Sequence, residues 1–512
     1  MIAPAGRTRH HTEIELKFQL PIGSRAMLEN YPALAETAPQ SSHLVSTYFD
    51  TPDRALDRCD LTLRVRRDGA IRTQTVKSRA DGQSVAARRR EWEWPIDQDV
   101  PEVEWLARTR PLADAALAIE GRLQPAFTTN VWRTTRLLHL GHDTVVEVAF
   151  DEGDIAAGTT PEAISELELE LKSGRVEPLY QLAAALQSLA PMWLLSDSKA
   201  ARGWLLHTGE SEGARRAQAP KLKHNVSAAA GFRQLLGGTL GHLTANIGPV
   251  LRGDTEGLHQ ARIAIRETRA LLQLFGQYLD RITSRRFNTD LRNIALILGA
   301  ARDWDVFCLE TLPAAMSDLS PDRLEDLNAA AEAERRLAYE AVTLALQSEA
   351  FTGMVLGLVV WANGEAFDSS RDRHGSMHQR LSILAPALLD RSARRVRRRG
   401  RHVGHLSAEK QHSLRKSLKK LNFDVQYLAR FFGGKGVRRY QRCVAALAKL
   451  LGAANDAVVT DRLMRKLIDL GRPELSRQAL AVERWNTQRG PATSQAIRTA
   501  MANFRNASPF WS

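Results

Sequence analysis

Glu13-Ile14-Glu15-Leu16-Lys17 places two carboxylates and an ammonium at every second position, with apolar residues between them. Extended backbone sends alternate side chains to opposite faces, so Glu13, Glu15 and Lys17 share one surface while Ile14, Leu16 and Phe18 share the other. The same phase recurs at Arg64 and Arg66, at Glu91 and Glu93 between Trp92 and Trp94, and from Glu147 to Asp151. Its fullest form is Glu166-Leu167-Glu168-Leu169-Glu170-Leu171-Lys172. A half-exposed antiparallel sheet also alternates, but its outer face would mix Thr, Ser, Gln and Lys. Here the polar positions are nearly all Glu, Asp, Arg or Lys. Strands closed into a barrel with these charges inward could hold divalent metals on carboxylates and a polyanion on Arg and Lys. Which phase of the 91–94 stretch faces inward stays open at this level; the indoles are expected to pack outward against helices.

The elements that must position these residues follow from periodicity. Up to about His207 the chain alternates with period two between Asp-Gly, Glu-Gly and Pro-rich turns, with helices predicted over 24–35 and 176–189. Leu179, Leu182, Ala183 and Leu186 form one stripe of the second helix. Residues 209–221 have linker composition, and from Asn225 onward the sequence reads as amphipathic helices rich in Ala, Leu and Arg. The expected fold class is α+β: an N-terminal antiparallel β-barrel with flanking helices, then an all-α duplicated helical bundle. The expected domains are 1–207, a linker at 208–221, and 222–512, the last split into repeats at about 225–370 and 378–512.

The duplication is visible as two matched blocks. His259, Arg262 and Arg266 align with His412, Arg415 and Lys419, and Leu298-Gly299-Ala300-Ala301-Arg302-Asp303 aligns with Leu451-Gly452-Ala453-Ala454-Asn455-Asp456, both at an offset of 153 residues. Spacing of i, i+3, i+7 stacks each basic set along one helix face. Arg269 extends the first stripe, and Lys416 stands where the first copy has Ile263. Paired stripes would make a basic groove, and the arginine-rich run 394–401 adds a third cationic segment. Asp303 and Asp456 are expected to cap helices.

With 512 residues, two or three domains are expected. A hydrophobic fraction of 44% and a charged fraction of 25% exclude a disordered chain, and a net charge of +13 favours acidic partners. Cys59, Cys308 and Cys443 have no metal-ligand spacing and suit a reducing compartment, as structural thiols. No signal core is read at the N-terminus, and the apolar run 354–362 is far short of the roughly 20 residues of a membrane span. A cytoplasmic location without membrane association is therefore expected.

The N-terminal part resembles the CYTH family, the triphosphate tunnel metalloenzymes, whose first strand carries Glu-x-Glu-x-Lys. The likeness extends in order through Tyr48-Phe49-Asp50-Thr51, Arg64 and Arg66, Lys77, Glu91 and Glu93, Arg133, the segment 147–153, the 166–172 run and Ser198-Lys199-Ala200-Ala201-Arg202-Gly203. It implies metal-dependent hydrolysis of inorganic triphosphate to phosphate and pyrophosphate. By that resemblance Glu13, Glu15 and Lys17 are catalytic, and Arg64, Arg66, Lys77, Arg133 and Lys199 bind substrate. Glu13, Glu15, Glu147, Glu166 and Glu168, with Glu170 or Asp151 in reserve, would hold Mg²⁺ or Mn²⁺. The C-terminal part resembles the CHAD domain, associated with polyphosphate, which implies that His259, Arg262, Arg266, Arg269, His412, Arg415, Lys416 and Lys419 bind that polymer and that the protein associates with polyphosphate granules. The alternatives are a non-catalytic polyphosphate-binding protein and a CYTH enzyme acting on an organic triphosphate, as a thiamine triphosphatase or adenylate cyclase. The absence of an aromatic stacking platform argues against nucleic acid as a partner.

Overall fold

The computed structural model describes residues 9–511 except 142, 159, 211–212, 219, 320–323, 365, 368–371, 373–374 and 490–493. The chain divides into two compact units. The first comprises Met1–Gln218, Leu240–Ala261 and Leu346–Asn363; the second comprises Ala219–Thr239, Arg262–Ala345 and Gly364–Ser512.

In the first unit, period-two alternation becomes strands β1 (Arg9–Gln19), β2 (Gln40–Asp50), β3 (Leu61–Asp68), β4 (Ile71–Ser78), β5 (Ala87–Pro95), β6 (Gln124–Leu140), β7 (Thr144–Ala156), β8 (Glu162–Ser173) and the short β9 (Trp193–Leu194). They are hydrogen-bonded in the order β5-β4-β3-β2-β6-β7-β8-β1-β9, and pairing of β5 with β1 closes β1–β8 into an antiparallel barrel. Closure removes the sheet edges. It also inverts the usual arrangement: the charged phase faces inward and the apolar phase outward, under helices.

Those covers are α1 (Ser24–Leu28), α2 (Pro32–Ala35), α3 (Ala55–Arg58), α4 (Val103–Arg108), α5 (Ala113–Ile119), α6 (Val176–Gln187) and α7 (Lys199–Thr208). Trp92 and Trp94 pack outward with Leu63, Val65 and Val76 against Leu106 of α4 and Ala115, Ala116 and Ile119 of α5, as expected for the indoles. Leu44, Phe127, Val131 and Ile164 pack under Ala200 and Trp204 of α7. The helix expected over 24–35 is instead two short ones. Pro32 disfavours helical backbone at the residue before it, and Tyr31 is extended at φ −61°, ψ 126°. Cys59 is exposed rather than packed, whereas Cys308 is buried.

The helical sequence forms α8 (Ala228–Thr244), α9 (Ile247–Leu251), α10 (Thr255–Leu274), α11 (Arg281–Val306), α12 (Leu312–Leu319), α13 (Glu325–Leu346), α14 (Glu349–Asn363), α15 (Leu381–Arg399), α16 (Ala408–Leu428), α17 (Lys435–Ile468), α18 (Pro473–Arg489) and α19 (Ser494–Asn506). Within the first unit α14 packs on α6, and the C-terminal end of α8 packs on the β4–β5 loop. A Cβ at Gly241 would lie 2.7 Å from the backbone of Gly82 and Ser84, so only glycine permits that approach.

Along the helical sequence the duplication is regular. α8 and α15 start at 228 and 381, and α10 and α16 at 255 and 408, each pair 153 apart. Ala228 N donates to Gln379 O and Leu381 N to Val226 O, both at 2.8 Å, two bonds that the same offset exchanges. Such self-complementary exchange is the mark of a local two-fold axis. Trp304, Phe307, Leu312 and Leu327 share a core with Leu463, Met464, Leu467 and Val482. By length and composition α17 has a window apolar enough to cross a membrane, and a quarter of that window is buried inside the protein.

Asp303 and Asp456 do not cap helices. They lie inside α11 and α17, because the Leu-Gly-Ala-Ala stretches before them carry two strong helix formers that absorb the cost of one glycine. Each aspartate instead faces the equivalent arginine of its repeat, Arg262 at 4.0 Å and Arg415 at 3.9 Å.

Candidate active site and polyanion groove

Register explains why the barrel interior needs mixed charge. Glu15 and Glu147 both pair in the ladder with Glu170, and Asp151 pairs with Glu166. Like charges directly opposite each other destabilise a sheet, so cations must lie between them. Lys17 supplies one, 3.2 Å from Glu15 and 3.1 Å from Glu168. Lys199, at the start of α7, supplies another, 2.6 Å from Glu166, 2.8 Å from Asp151 and 2.9 Å from Glu168. Arg133 grips Asp151 through two nitrogens at 2.7 and 2.5 Å and reaches Glu168 at 2.5 Å. Lys77 bridges Glu13 at 2.8 Å and Glu91 at 3.1 Å. Burial opposes the charge on Glu13, yet Lys77, Arg89 and Lys17 outweigh it and hold the carboxyl well below the usual range. Burial likewise opposes ionisation of Glu168, and Lys17, Lys199 and Arg133 again prevail.

All of these side chains except Asp151 and Glu166 line a cavity of about 880 Å³, together with Tyr48, Thr62, Glu93 and Lys172, with residues 213–218, and with Gly241, His242, Thr244 and Ala245 of the same unit. Both Glu91 and Glu93 thus face inward. Arg64 and Arg66 differ from the other cations. Arg64 comes no nearer to a carboxylate than 3.9 Å, at Glu91, and Arg66 has no ion pair among the described residues. Burial, with Arg64 and Arg133 close by, pulls Arg66 down to about 10. A buried guanidinium in that condition favours an incoming anion.

Asp151, Glu166 and Glu168 bring carboxylate oxygens within 4.8 Å of one another. Oxygen-only, multiply anionic donors suit hard divalent cations such as Mg²⁺ or Mn²⁺, so the residues fit such an ion. Glu13 and Glu15 form a second acidic pair across Lys17, while Glu147 faces Lys172 at 3.3 Å. Arg89 escaped the sequence reading. It contacts Glu13 at 2.8 Å and also Glu15. Its signal was its phase, two residues before Glu91 on the same strand face. Gly203 has a positional role as well: a Cβ there would strike the Phe127 ring, so the glycine seats α7 and with it Lys199.

In the second unit the α10 stripe from Arg262 onward meets α16. Burial, Arg262 and Arg415 lower Arg266 to about 10. Burial, Arg266, Arg415 and Arg262 lower Lys419 to about 7, against the pull of Asp456. Lys416 lies instead beside Arg269 and Arg292. His259 and His412 each sit one turn before their arginine, half-buried and exposed respectively. Crowded, partly buried cations with depressed affinity for protons make a strongly electropositive surface.

Residues 11–204 match the CYTH domain and residues 234–465 match the CHAD domain. Over 196 residues, 38% of this chain, the sequence is 34% identical to an inorganic triphosphatase of Haemophilus influenzae; the match spans about half, 54%, of that relative's length. The CHAD domain from the plant Ricinus communis is similar in structure, with a TM-score of 0.50 and 24% identity, covering 57% of this chain and 97% of that one. That likeness shows the helical fold. The charged antiparallel barrel and the duplicated helices are therefore a CYTH domain followed by a CHAD domain in one chain.

Proposed function

We propose that the chain is a metal-dependent inorganic triphosphatase whose helical domain binds polyphosphate. The observation that carries the first part is the pair Arg64 and Arg66, buried in a cavity otherwise balanced by ion pairs and left without a close carboxylate. Two guanidinium forks can each bond two nonbridging oxygens. Lys77, Arg133 and Lys199 would add to that cradle as the phosphate chain displaces their carboxylates. Phosphoanhydride hydrolysis asks for charge neutralisation and a positioned water more than for covalent chemistry. Asp151, Glu166 and Glu168, with Glu13 and Glu15, would hold Mg²⁺ or Mn²⁺, which supplies neutralisation of phosphate charge and a more acidic water. Lys17 ties the two acidic groups together and fixes their spacing.

The test is phosphate release by the full-length protein with Mg²⁺ or Mn²⁺, offered inorganic triphosphate, ATP, thiamine triphosphate and long-chain polyphosphate in parallel. Inorganic triphosphate should be turned over fastest, with phosphate and pyrophosphate as products. Faster turnover of an organic triphosphate, or no turnover at all, would overturn the reading. For the helical domain the supporting feature is the shared cationic surface of Arg262, Arg266, Arg415 and Lys419.

A further inference from the structure

The 153-residue offset places Gly241, Ala245 and Gly248 of the first repeat at Arg394, Arg398 and Arg401 of the second. In the first repeat this face is a docking face. Gly241 lies against the backbone of Gly82 and Ser84, and Gly248 against the Asp197 carboxylate. In the second repeat the same face carries exposed guanidiniums, which a protein surface could cover only at a large desolvation cost.

These arginines border a concavity of about 750 Å³ whose lining is arginine throughout, completed by Arg505 of α19. Carboxylates do little to neutralise it. Arg394 pairs with Asp390 at 3.1 Å. Asp424, which interacts electrostatically with Arg391 and Arg395, is raised to about 7 by burial and accepts a hydrogen bond from Ser392 at 2.6 Å. Neutral acceptors hold the guanidiniums instead: Arg391 donates to Gln277 and to the Leu274 carbonyl, and Arg505 to the Gly400 carbonyl at 3.2 Å. Arg397 stands over the buried Phe504 ring. Arg391, Arg397 and Arg505 are thus fixed in place without being discharged, while Arg394, Arg398 and Arg401 stay exposed around them, a partly preorganised anion site.

We propose that the arginine face of α15 is a second anion-binding segment that takes a stretch of inorganic polyphosphate continuing out of the α10/α16 groove. The proposal rests on the reading of the helical domain as polyphosphate-binding. Lys420 of α16 links the two surfaces: it shares a small hollow with Arg391 and Arg395 and donates to Gln273 of α10, and burial, Arg269 and Arg395 lower it to about 8. No aromatic ring lines the concavity, so a nucleobase has no stacking platform there, and a bare phosphate chain is the ligand favoured.

The experiment measures binding of short-chain and long-chain polyphosphate to the full-length protein and two variants at matched ionic strength. Arg394→Gln/Arg398→Gln/Arg401→Gln should weaken long-chain binding about tenfold or more, lower the salt dependence by about 2 to 3 counterions, and leave short-chain binding within about twofold. Arg266→Gln/Lys419→Gln, in the groove, should weaken both. An unchanged long-chain affinity in the α15 variant overturns the proposal, while weakening of both lengths by the groove variant would still uphold the groove. Loss of neither overturns both readings. RNA of equal charge displacing long-chain polyphosphate equally well also overturns the proposal. Thermal unfolding monitors integrity, and Arg398→Glu alone, at an exposed position, serves if the triple variant does not fold.

Discussion

At the scale of the residue, depressed and compensated charges set the behaviour. Lys419 titrates at about 7 because burial, Arg266, Arg415 and Arg262 disfavour its charged form. A bound polyanion removes that penalty and restores the ordinary lysine value, near 10.4. Below about pH 7 the free protein already carries the proton, so affinity should be flat. Above it, binding must take up a proton, so affinity should fall as pH rises. Calorimetry in buffers of different ionisation enthalpy should detect that uptake, and Lys419→Arg should reduce it, the remainder belonging to Lys420, which is lowered to about 8. An uptake undiminished in Lys419→Arg would show that Lys419 is not its source. In the barrel, Arg89→Ala would leave Glu13 and Glu15 buried with a major partner gone. Breaking such a buried pair costs on the order of 3–5 kcal/mol, so chemical denaturation should show a large loss of stability unless a divalent cation is added.

At the scale of the element, two glycines decide where functional segments sit. Gly241→Ala would force a Cβ to 2.7 Å from backbone atoms of Gly82 and Ser84 that have no rotamer to escape into. Overpacking of this kind costs about 1–3 kcal/mol, and the displaced end of α8 is part of the cavity wall. The expected result is a lower thermal midpoint together with a higher KM for triphosphate; an unchanged KM would show that the wall does not shape the site. Strands β1, β3, β5, β7 and β8 needed no such tertiary help to be recognised, since alternation of charged and apolar residues marks them in isolation, whereas β2, β4 and β6 carry no such pattern. The helix pair around Pro32 was merged because only the residue before a proline reveals the break. Asp303 was misplaced because a capping residue and a mid-helix residue look alike until the partner arginine is known.

At the scale of the whole molecule, a net charge of +13 and two cationic helical surfaces predict that polyphosphate binding falls steeply with salt, whereas triphosphate hydrolysis, housed in a buried cavity, should depend on salt much less. Titrating both activities against ionic strength in one preparation checks this; equal salt dependence would argue that one surface serves both. Chelation by EDTA should stop phosphate release and leave polyphosphate binding within about twofold, since the carboxylate groups that would hold metal lie in the barrel. What the sequence determined by itself was everything periodic: the alternation of charged and apolar residues in five strands, the class of the fold, and the duplication at 153 residues, because local backbone geometry converts spacing directly into a shared face. What only the tertiary structure decided was which charges neutralise one another. Arg89 joins Glu13 and Glu15, Lys199 joins Asp151, Glu166 and Glu168, and Arg64 and Arg66 keep no carboxylate nearer than 3.9 Å among the described residues, through ladder register and helix packing between residues distant in the chain. Electrostatic energy depends on separations of a few ångströms, and spacing along the chain does not encode those.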